Sequence, residues 1–216
     1  MNVTEIRVAD CVPFENYPFK IQDNSDMEML IDSIKESGVL IPIVVRPKGK
    51  EYEILSGHRR IYACKMAGID KVPAIIRELS RDEAVIFMVD SNLHREGLLP
   101  SEKGFAYKMK LEAMKHQGRT SDQVGQKLTS VQALADSSSD SKTQVQRYIR
   151  LTFLEKPLLD LVDEGRIALT PAVELSRLLP EEQRNLIETI ESEDCTPSLS
   201  QSVRMRKLSN DGLLTM

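Results

Sequence analysis

Apolar positions in the first hundred residues follow two alternating periods. Met27, Leu30, Ile31 and Ile34 recur at helical spacing behind Asn24-Ser25, and Gly38 supplies a stop. Ile41-Pro-Ile-Val-Val45 is a short β-branched run. Pro47-Lys-Gly-Lys50 reads as a turn, and Glu51-Tyr-Glu-Ile-Leu55 as the returning strand. The pattern then predicts a helix over His58 to Ala67 closed by Gly68, and a strand at Val72-Pro-Ala-Ile-Ile76. Ser80-Arg-Asp-Glu83 has the form of a capping box and opens a helix through Met88 to about Leu93. Helices and strands in alternation make this half a mixed α/β domain.

After Pro100 the strand signals stop. Ser101 to Gln117 reads as one long helix ended by Gly118, with Phe105, Met109 and Met114 near a common face. Shorter helices follow, divided by Gly125, Ser137-Ser-Ser139, Pro157, Gly165, Pro171 and Pro180. The expected organisation is an α+β domain over residues 1–98, an all-α domain over 99–195 and a tail over 196–216.

Composition excludes several classes. No apolar run approaches the ~20 residues of a membrane span. Cys11, Cys64 and Cys195 form no CxxC pair, so a zinc site and a disulfide scaffold are both disfavoured, and a reducing cytoplasm is the simplest location. The net charge of −4 does not by itself suggest a nucleic-acid partner, but its distribution is uneven. Residues 1–100 carry net −3, residues 101–160 net +3, residues 161–201 net −6 and residues 202–216 net +2. A polyanion contact belongs in the one positive middle segment.

Two constellations carry candidate chemistry. The first is Ile54-Leu-Ser-Gly-His-Arg-Arg60, at a strand-to-helix junction. A helix N-terminus exposes unpaired N–H groups and a positive dipole end, and Arg59 and Arg60 add two planar cations suited to phosphate oxygens. With Ser56, Gly57 and His58 these form a candidate anion pocket; the same string also fits a plain helix start with two solvated arginines. Arg46 closes the buried run Gly38-Val-Leu-Ile-Pro-Ile-Val-Val-Arg46, as expected at a sheet rim. Asn92 and Arg95, three apart, would share a helical face able to hold a phosphate or a metal-bound nucleotide.

The second constellation is a helix-turn-helix over about 130–151. Ser130 to Asp136 is a short helix, Ser137-Ser-Ser139 turns the chain, and Asp140 can cap a second helix from Ser141 to Leu151. Val145, Tyr148, Ile149 and Leu151 would face the core. Ser141, Lys142, Thr143, Gln144, Gln146, Arg147 and Arg150 would remain outward, which are the side chains a recognition helix uses on base edges and phosphates. An amphipathic helix with a solvated polar face has the same pattern. The sequence has no P-loop, no Gly-x-Ser-x-Gly elbow and no HExxH pairing among its three histidines.

A phosphate pocket in an α/β domain followed by a helix-turn-helix resembles the ParB family of chromosome and plasmid partition proteins. Gly38-Val-Leu-Ile-Pro-Ile-Val-Val-Arg46 is similar to that family's G-x-x-x-P-x-x-V-R segment, and Gly57-His-Arg-Arg60 with Ala63 to its G-E-R-R-x-x-A motif. Ser91-Asn-Leu-His-Arg-Glu96 with Leu99-Pro-Ser-Glu102 is similar to its E-N-x-Q-R-x-x-L-x-P-x-E segment, and Glu164 to Ala172 also match in order and spacing. The resemblance covers about residues 4–192. It implies a ParB/sulfiredoxin-like N-terminal fold and a CTP-dependent DNA clamp. Such a clamp is a cytoplasmic homodimer on nucleoid or plasmid DNA, with magnesium beside the CTP, a short palindromic duplex site, slow CTP hydrolysis and a ParA-type ATPase as partner. Carried over, Arg46 would line the nucleotide pocket, Gly57 to Arg60 would cradle the triphosphate, and Asn92 and Arg95 would hold the phosphates and magnesium.

His58 and Ser91 stand where that family usually has Glu. Both departures remove negative charge near the expected metal and count against magnesium and hydrolysis. Little sequence precedes the fold for a ParA-engaging tail, and no C-terminal dimerisation domain is evident. Ser56-Gly-His-Arg59 also resembles the G-C-H-R loop of sulfiredoxin, with Gly57 in place of the essential cysteine. A phosphoryl-transfer enzyme, a helix-turn-helix transcription regulator with a structural first domain, and a nuclease are the competing readings.

Overall fold

The protein is described here from a computed structural model covering residues 2–120, 130–138 and 140–214. The chain divides into two units. The first holds the residues up to His94 and the end of a long helix from Glu112; the second holds Arg95–Leu111 and the chain beyond that helix.

The first unit is a five-stranded sheet covered by helices. Its strands are β1 (Val3–Arg7), β2 (Cys11–Val12), β3 (Ile43–Lys48), β4 (Glu51–Ser56) and β5 (Lys71–Ile76), in the order β1-β5-β3-β4-β2. A tight turn joins β3 antiparallel to β4, with Val45 opposite Ile54 and Arg46 opposite Glu53. Its Gly49 has φ 65°, a left-handed value glycine adopts at no steric cost. A helical crossover then brings β5 parallel to β3 on its other side. Ile43, Val45, Val72 and Ala74 alternate inward. Helix α1 (Ser25–Ser37) buries Met27 and Ile34 against this core, and α2 (His58–Ala67) buries Ile61 and Cys64. Helix α3 (Arg81–Leu93) carries the expected capping box, Ser80 with Glu83, and packs on β4. Strands β1 and β2 have no counterpart in the sequence reading. Only Ile6 of β1 is buried and β2 has two residues, so neither shows a period.

Among the described residues the second unit has no strand. It contains the first part of α4 (Pro100–Thr120), then α5 (Ser130–Asp136), α6 (Lys142–Leu151), α7 (Lys156–Asp163), α8 (Leu169–Leu175), α9 (Pro180–Glu193) and α10 (Leu199–Asn210). Gly118 does not end α4, which runs to Thr120; a helical glycine costs only about 1 kcal/mol. The proposed breaks at Gly125 and Ser139 lie outside the described residues. Pro157, Pro171 and Pro180 divide the helices by sitting in first turns, where no intrahelical N–H partner is lost.

The core of this unit is Leu151, Leu154, Leu158, Val162, Ala172, Leu175, Leu186 and Ile190. At its centre buried Gln183 accepts from the Glu155 amide at 2.8 Å and donates to the Phe153 and Leu178 carbonyls at 3.2 and 3.1 Å, so its burial leaves no polar atom unpaired. The segment expected as tail is instead α10, packed on α8. Its Ser202 is fully buried, and its Ser209 hydroxyl donates to Glu182 at 2.6 Å.

Helix α4 crosses α6 closely. A Cβ on Gly104 would lie 2.6 Å from the Tyr148 carbonyl oxygen, a backbone atom. Gly104→Ala gains helix propensity but forces the two helices apart, at roughly 1–3 kcal/mol of overpacking. The expected result is a lower urea midpoint, measured by far-UV circular dichroism.

Candidate nucleotide and nucleic-acid sites

Helix α2 starts at Gly57, in the left-handed region at φ 104° and ψ 22°. A Cβ there would meet Ile43 Cγ2 at 2.6 Å, so glycine is required by both its backbone angles and its neighbour. The space beside Gly57 is filled by a core side chain, not kept open for an anion. The first-turn amides of α2 nevertheless have no intrahelical acceptor, and the dipole leaves this end positive.

The four residues around this turn have different roles. Ser56 ends β4 opposite Val44. His58 is buried, its ring stacked on Tyr17 with centroids 3.6 Å apart and planes 18° from parallel. Both its ring nitrogens lack a hydrogen-bond partner, and burial pushes its pKa down to about 4. It is therefore a neutral wall, not a cation over phosphate. Arg60 donates one Nη to the carbonyls of Ile41 and of Pro42, the latter at 2.7 Å, and so pins the lead-in to β3. Burial lowers its pKa from the usual arginine value, but it stays charged. Arg59 has a buried Nε with no partner among the described residues. That orphaned donor beside a helix N-terminus is what a phosphate oxygen would satisfy.

Arg46 is not brought to this turn. It lies three residues along β3 from Ile43, about 10 Å away in an extended strand. Its Nε and Nη2 both bond Glu53 at 2.7 Å, and its Nη1 bonds the Leu79 carbonyl at 3.3 Å. Glu53 is fully buried and also receives Lys48 at 2.8 Å and Arg81 at 3.7 Å. Burial alone would raise its pKa, but hydrogen bonds from Lys48 and Arg46 outweigh it and hold the carboxylate below its ordinary range. The sequence reading assigned no role to Glu53, whose partners lie on β3 and at the start of α3.

The end of α3 also departs from expectation. The helix stops at Leu93, so Arg95 lies beyond it, in the second unit, and does not share a helical face with Asn92. Asn92 donates its Nδ2 to the Met88 carbonyl at 2.8 Å and accepts the Tyr17 hydroxyl on Oδ1 at 3.2 Å. Its amide is already used, and no group of three His, Cys, Asp or Glu among the described residues could hold a metal ion. What remains open to a ligand here is the start of α2, with its first-turn amides and the Nε of Arg59, an arrangement suited to an anion.

In the second unit α5 and α6 form the expected pair. Asp140 does not cap α6; Ser141 does, accepting from the Gln144 amide at 3.3 Å. Asp140 instead accepts from Tyr107 at 2.6 Å and Lys103 at 3.0 Å, tying the turn to α4, while buried Lys110 donates to Ser137 at 2.7 Å. Val145 and Leu151 are buried. Ser141, Lys142, Thr143, Gln146 and Arg147 are exposed and Gln144 is half-buried. Arg150 is not outward. It donates to Ser176 Oγ at 3.1 Å and to the Ser176 carbonyl at 2.9 Å, with its guanidinium 4.7 Å from the Phe153 ring centre.

Residues 1–93 match the model of the ParB N-terminal domain family. Stage 0 sporulation protein J of Bacillus subtilis is 34% identical over 167 residues, 77% of this chain and 55% of that protein. The chromosome-partitioning protein Spo0J of Thermus thermophilus is 32% identical over 181 residues, 84% of this chain and 62% of that protein. Residues 1–93 belong to the ParB N-terminal domain family. The chain spans a little over half the length of these two curated relatives. Its fold is that of a C-terminally truncated ParB from Caulobacter crescentus solved on its centromeric parS site. That structure has a TM-score of 0.54 at 21% identity and covers 94% of this chain and 98% of its own. A Pnob8-like ParB-N domain gives a TM-score of 0.56 at 18% identity, covering 98% and 94%.

Besides Glu53, sequence reasoning missed Tyr17 in this ParB domain. It lies between β2 and α1, outside every motif, and only its contacts with His58 and Asn92 single it out.

His58 makes this ParB domain acid-sensitive. Its folded pKa of about 4 lies below the ordinary histidine value of 6.5, so its contribution to stability is complete above pH 6.5 and is lost as pH falls toward 4. The loss approaches about 3 kcal/mol, at roughly 1.4 kcal/mol per pH unit. Urea titrations at pH 7 and pH 5 should show this fall in the parent and its absence in His58→Phe.

Proposed function

We propose that this protein is a DNA-binding partition protein that works as a nucleotide-gated clamp. The observation that carries the reading is α6: one face is buried on Val145 and Leu151, and the other presents Lys142, Thr143, Gln146 and Arg147 to solvent. A helix capped by Ser141 and steadied through its preceding turn is a rigid body that fits a major groove. Gln146 and Arg147 suit bidentate contacts to base edges, and Lys142 and Thr143 suit phosphates.

The nucleotide half of the proposal rests on the start of α2. There the first-turn amides and the unpaired Nε of Arg59 favour a polyphosphate, and CTP is the nucleotide that the ParB resemblance implies. CTP would supply the negative charge that this turn leaves unanswered. Arg59 would hold its phosphates, while Arg60 keeps the lead-in to β3 fixed through the Ile41 and Pro42 carbonyls and His58 stays a neutral buried neighbour of the turn. A homodimer on a palindromic, parS-like duplex, a ParA-type ATPase partner and a cytoplasmic location belong to the same proposal. Among the described residues no helix is long and apolar enough to cross a membrane.

Calorimetry with CTP and binding to duplexes selected from random sequence test the two halves separately. Arg59→Ala should reduce CTP affinity at least tenfold and leave duplex affinity unchanged. Arg147→Ala should weaken the selected duplex by about 1–3 kcal/mol and leave CTP affinity unchanged. Equal CTP affinity in parent and Arg59→Ala would remove the pocket from the proposal. An equal loss on selected and random duplexes would make Arg147 a phosphate contact.

A further inference from the structure

We infer that Tyr17 is a positioning residue of the nucleotide site, one side chain that holds His58 at the start of α2 and Asn92 at the end of α3 as two fixed walls. The inference rests on the nucleotide reading above and goes beyond it, because Tyr17 belongs to none of the motifs that support that reading.

Tyr17 does not sit on a drifting loop. Phe14 and Phe19, on either side of it, are 2% and 3% exposed and anchor the segment in the core. The Tyr17 amide donates to the Phe14 carbonyl at 3.1 Å, closing a turn in which Asn16 takes φ 58°. The Phe19 ring lies edge-on to Tyr17 with centroids 5.3 Å apart. Loop, turn and ring contacts together fix where the phenol points.

From that position Tyr17 makes two contacts of different kinds. Its ring face covers His58 at 3.6 Å, closing an imidazole whose two nitrogens have no other partner. Its hydroxyl donates to Asn92 Oδ1 at 3.2 Å, while the Asn92 Nδ2 is held by the Met88 carbonyl one helical turn back. The amide of Asn92 is therefore oriented at both ends. His58 directly follows Gly57, so the stack also restrains the turn that carries the anion-binding amides. Without the ring, the first residue of α2 loses its cover; without the hydroxyl, Asn92 loses one end of its restraint.

The test is calorimetric titration of CTP into parent, Tyr17→Phe, Tyr17→Leu, Asn92→Ala and the Tyr17→Phe/Asn92→Ala double variant, with thermal midpoints recorded for each. Tyr17→Phe keeps the stack and should bind CTP about fivefold more weakly at an unchanged midpoint, the scale of one hydrogen bond. Tyr17→Leu should lose more than tenfold. In the Asn92→Ala background Tyr17→Phe should have no further effect, because the hydroxyl acts through Asn92. Additive losses in the double variant would make Tyr17 a merely structural residue and overturn the inference. So would a Tyr17→Phe variant that binds CTP as well as the parent or better; either result leaves the nucleotide reading standing. A parent that takes up no CTP would end the nucleotide reading and this inference with it. Should Tyr17→Leu fail to fold, the Tyr17→Phe cycle decides alone.

Discussion

Residue 57 cannot carry a Cβ, and the geometry of the first unit depends on that. The chain leaves β4, turns through a left-handed residue and starts α2 in a single step, with Ile43 packed where a side chain would stand. Close packing of β3 against the turn, and Arg60 reaching back to the carbonyls of Ile41 and Pro42, make the strand lead-in and the helix start one rigid piece. The orphan amides of α2 are thus held at a fixed place on the sheet rim, beside the unsatisfied Nε of Arg59. Preorganisation of this kind lets a site bind an anion without first ordering itself.

Charge in the first unit is spent in two ways. At Glu53 a fully buried carboxylate collects Arg46, Lys48 and Arg81, and the guanidiniums of Arg46 and Arg81 also lie over the ring of Phe14, 5.8 and 4.9 Å from its centre. A buried carboxylate persists only when its oxygens are fully used, and here they join the β3–β4 hairpin to the start of α3. At the α2 turn the opposite holds: among the described residues no acid pairs with Arg59 or Arg60, and His58 is kept neutral. The first arrangement holds the fold together; the second is what an incoming anion would complete.

The helical unit solves a related problem for α6. Polar groups buried at the turn between α5 and α6 are each paired with α4, through Tyr107, Lys103 and Lys110. Satisfying them fixes the angle of α6 more sharply than apolar contact alone, because each hydrogen bond is directional. Gly104 then lets the backbones of α4 and α6 come closer than any other residue would permit. The outward face of α6 is left free of structural duties, apart from Arg150, which is turned onto Ser176.

Much of this was legible in the residue order. The periods of Met27 to Ile34 and of Ile41 to Val45, the Ser80–Glu83 box and the turn at Ser137 are local signals. The helices formed where they were read, because propensity, capping and patterning agree there; the strand read from Ile41 instead runs from Ile43 to Lys48, taking in Pro47 and Lys48 of the expected turn. The glycine-histidine-arginine string and the amphipathic second helix were visible for the same reason. Which arginine is available to a ligand was not. Arg46, Arg59, Arg60 and Arg150 look alike in a string of letters; Glu53, Pro42 and Ser176 engage the first, third and fourth across the fold, while the Nε of Arg59 has no partner among the described residues. Tyr17 was invisible because its meaning depends on His58 and Asn92, 41 and 75 positions away. The sequence alone determined most of the helices and the central strands, since those are decisions of neighbouring residues; β1, β2 and α10 were not legible there. Only the tertiary structure decided which charges are spent and which remain, since that depends on side chains that folding alone brings within hydrogen-bonding distance.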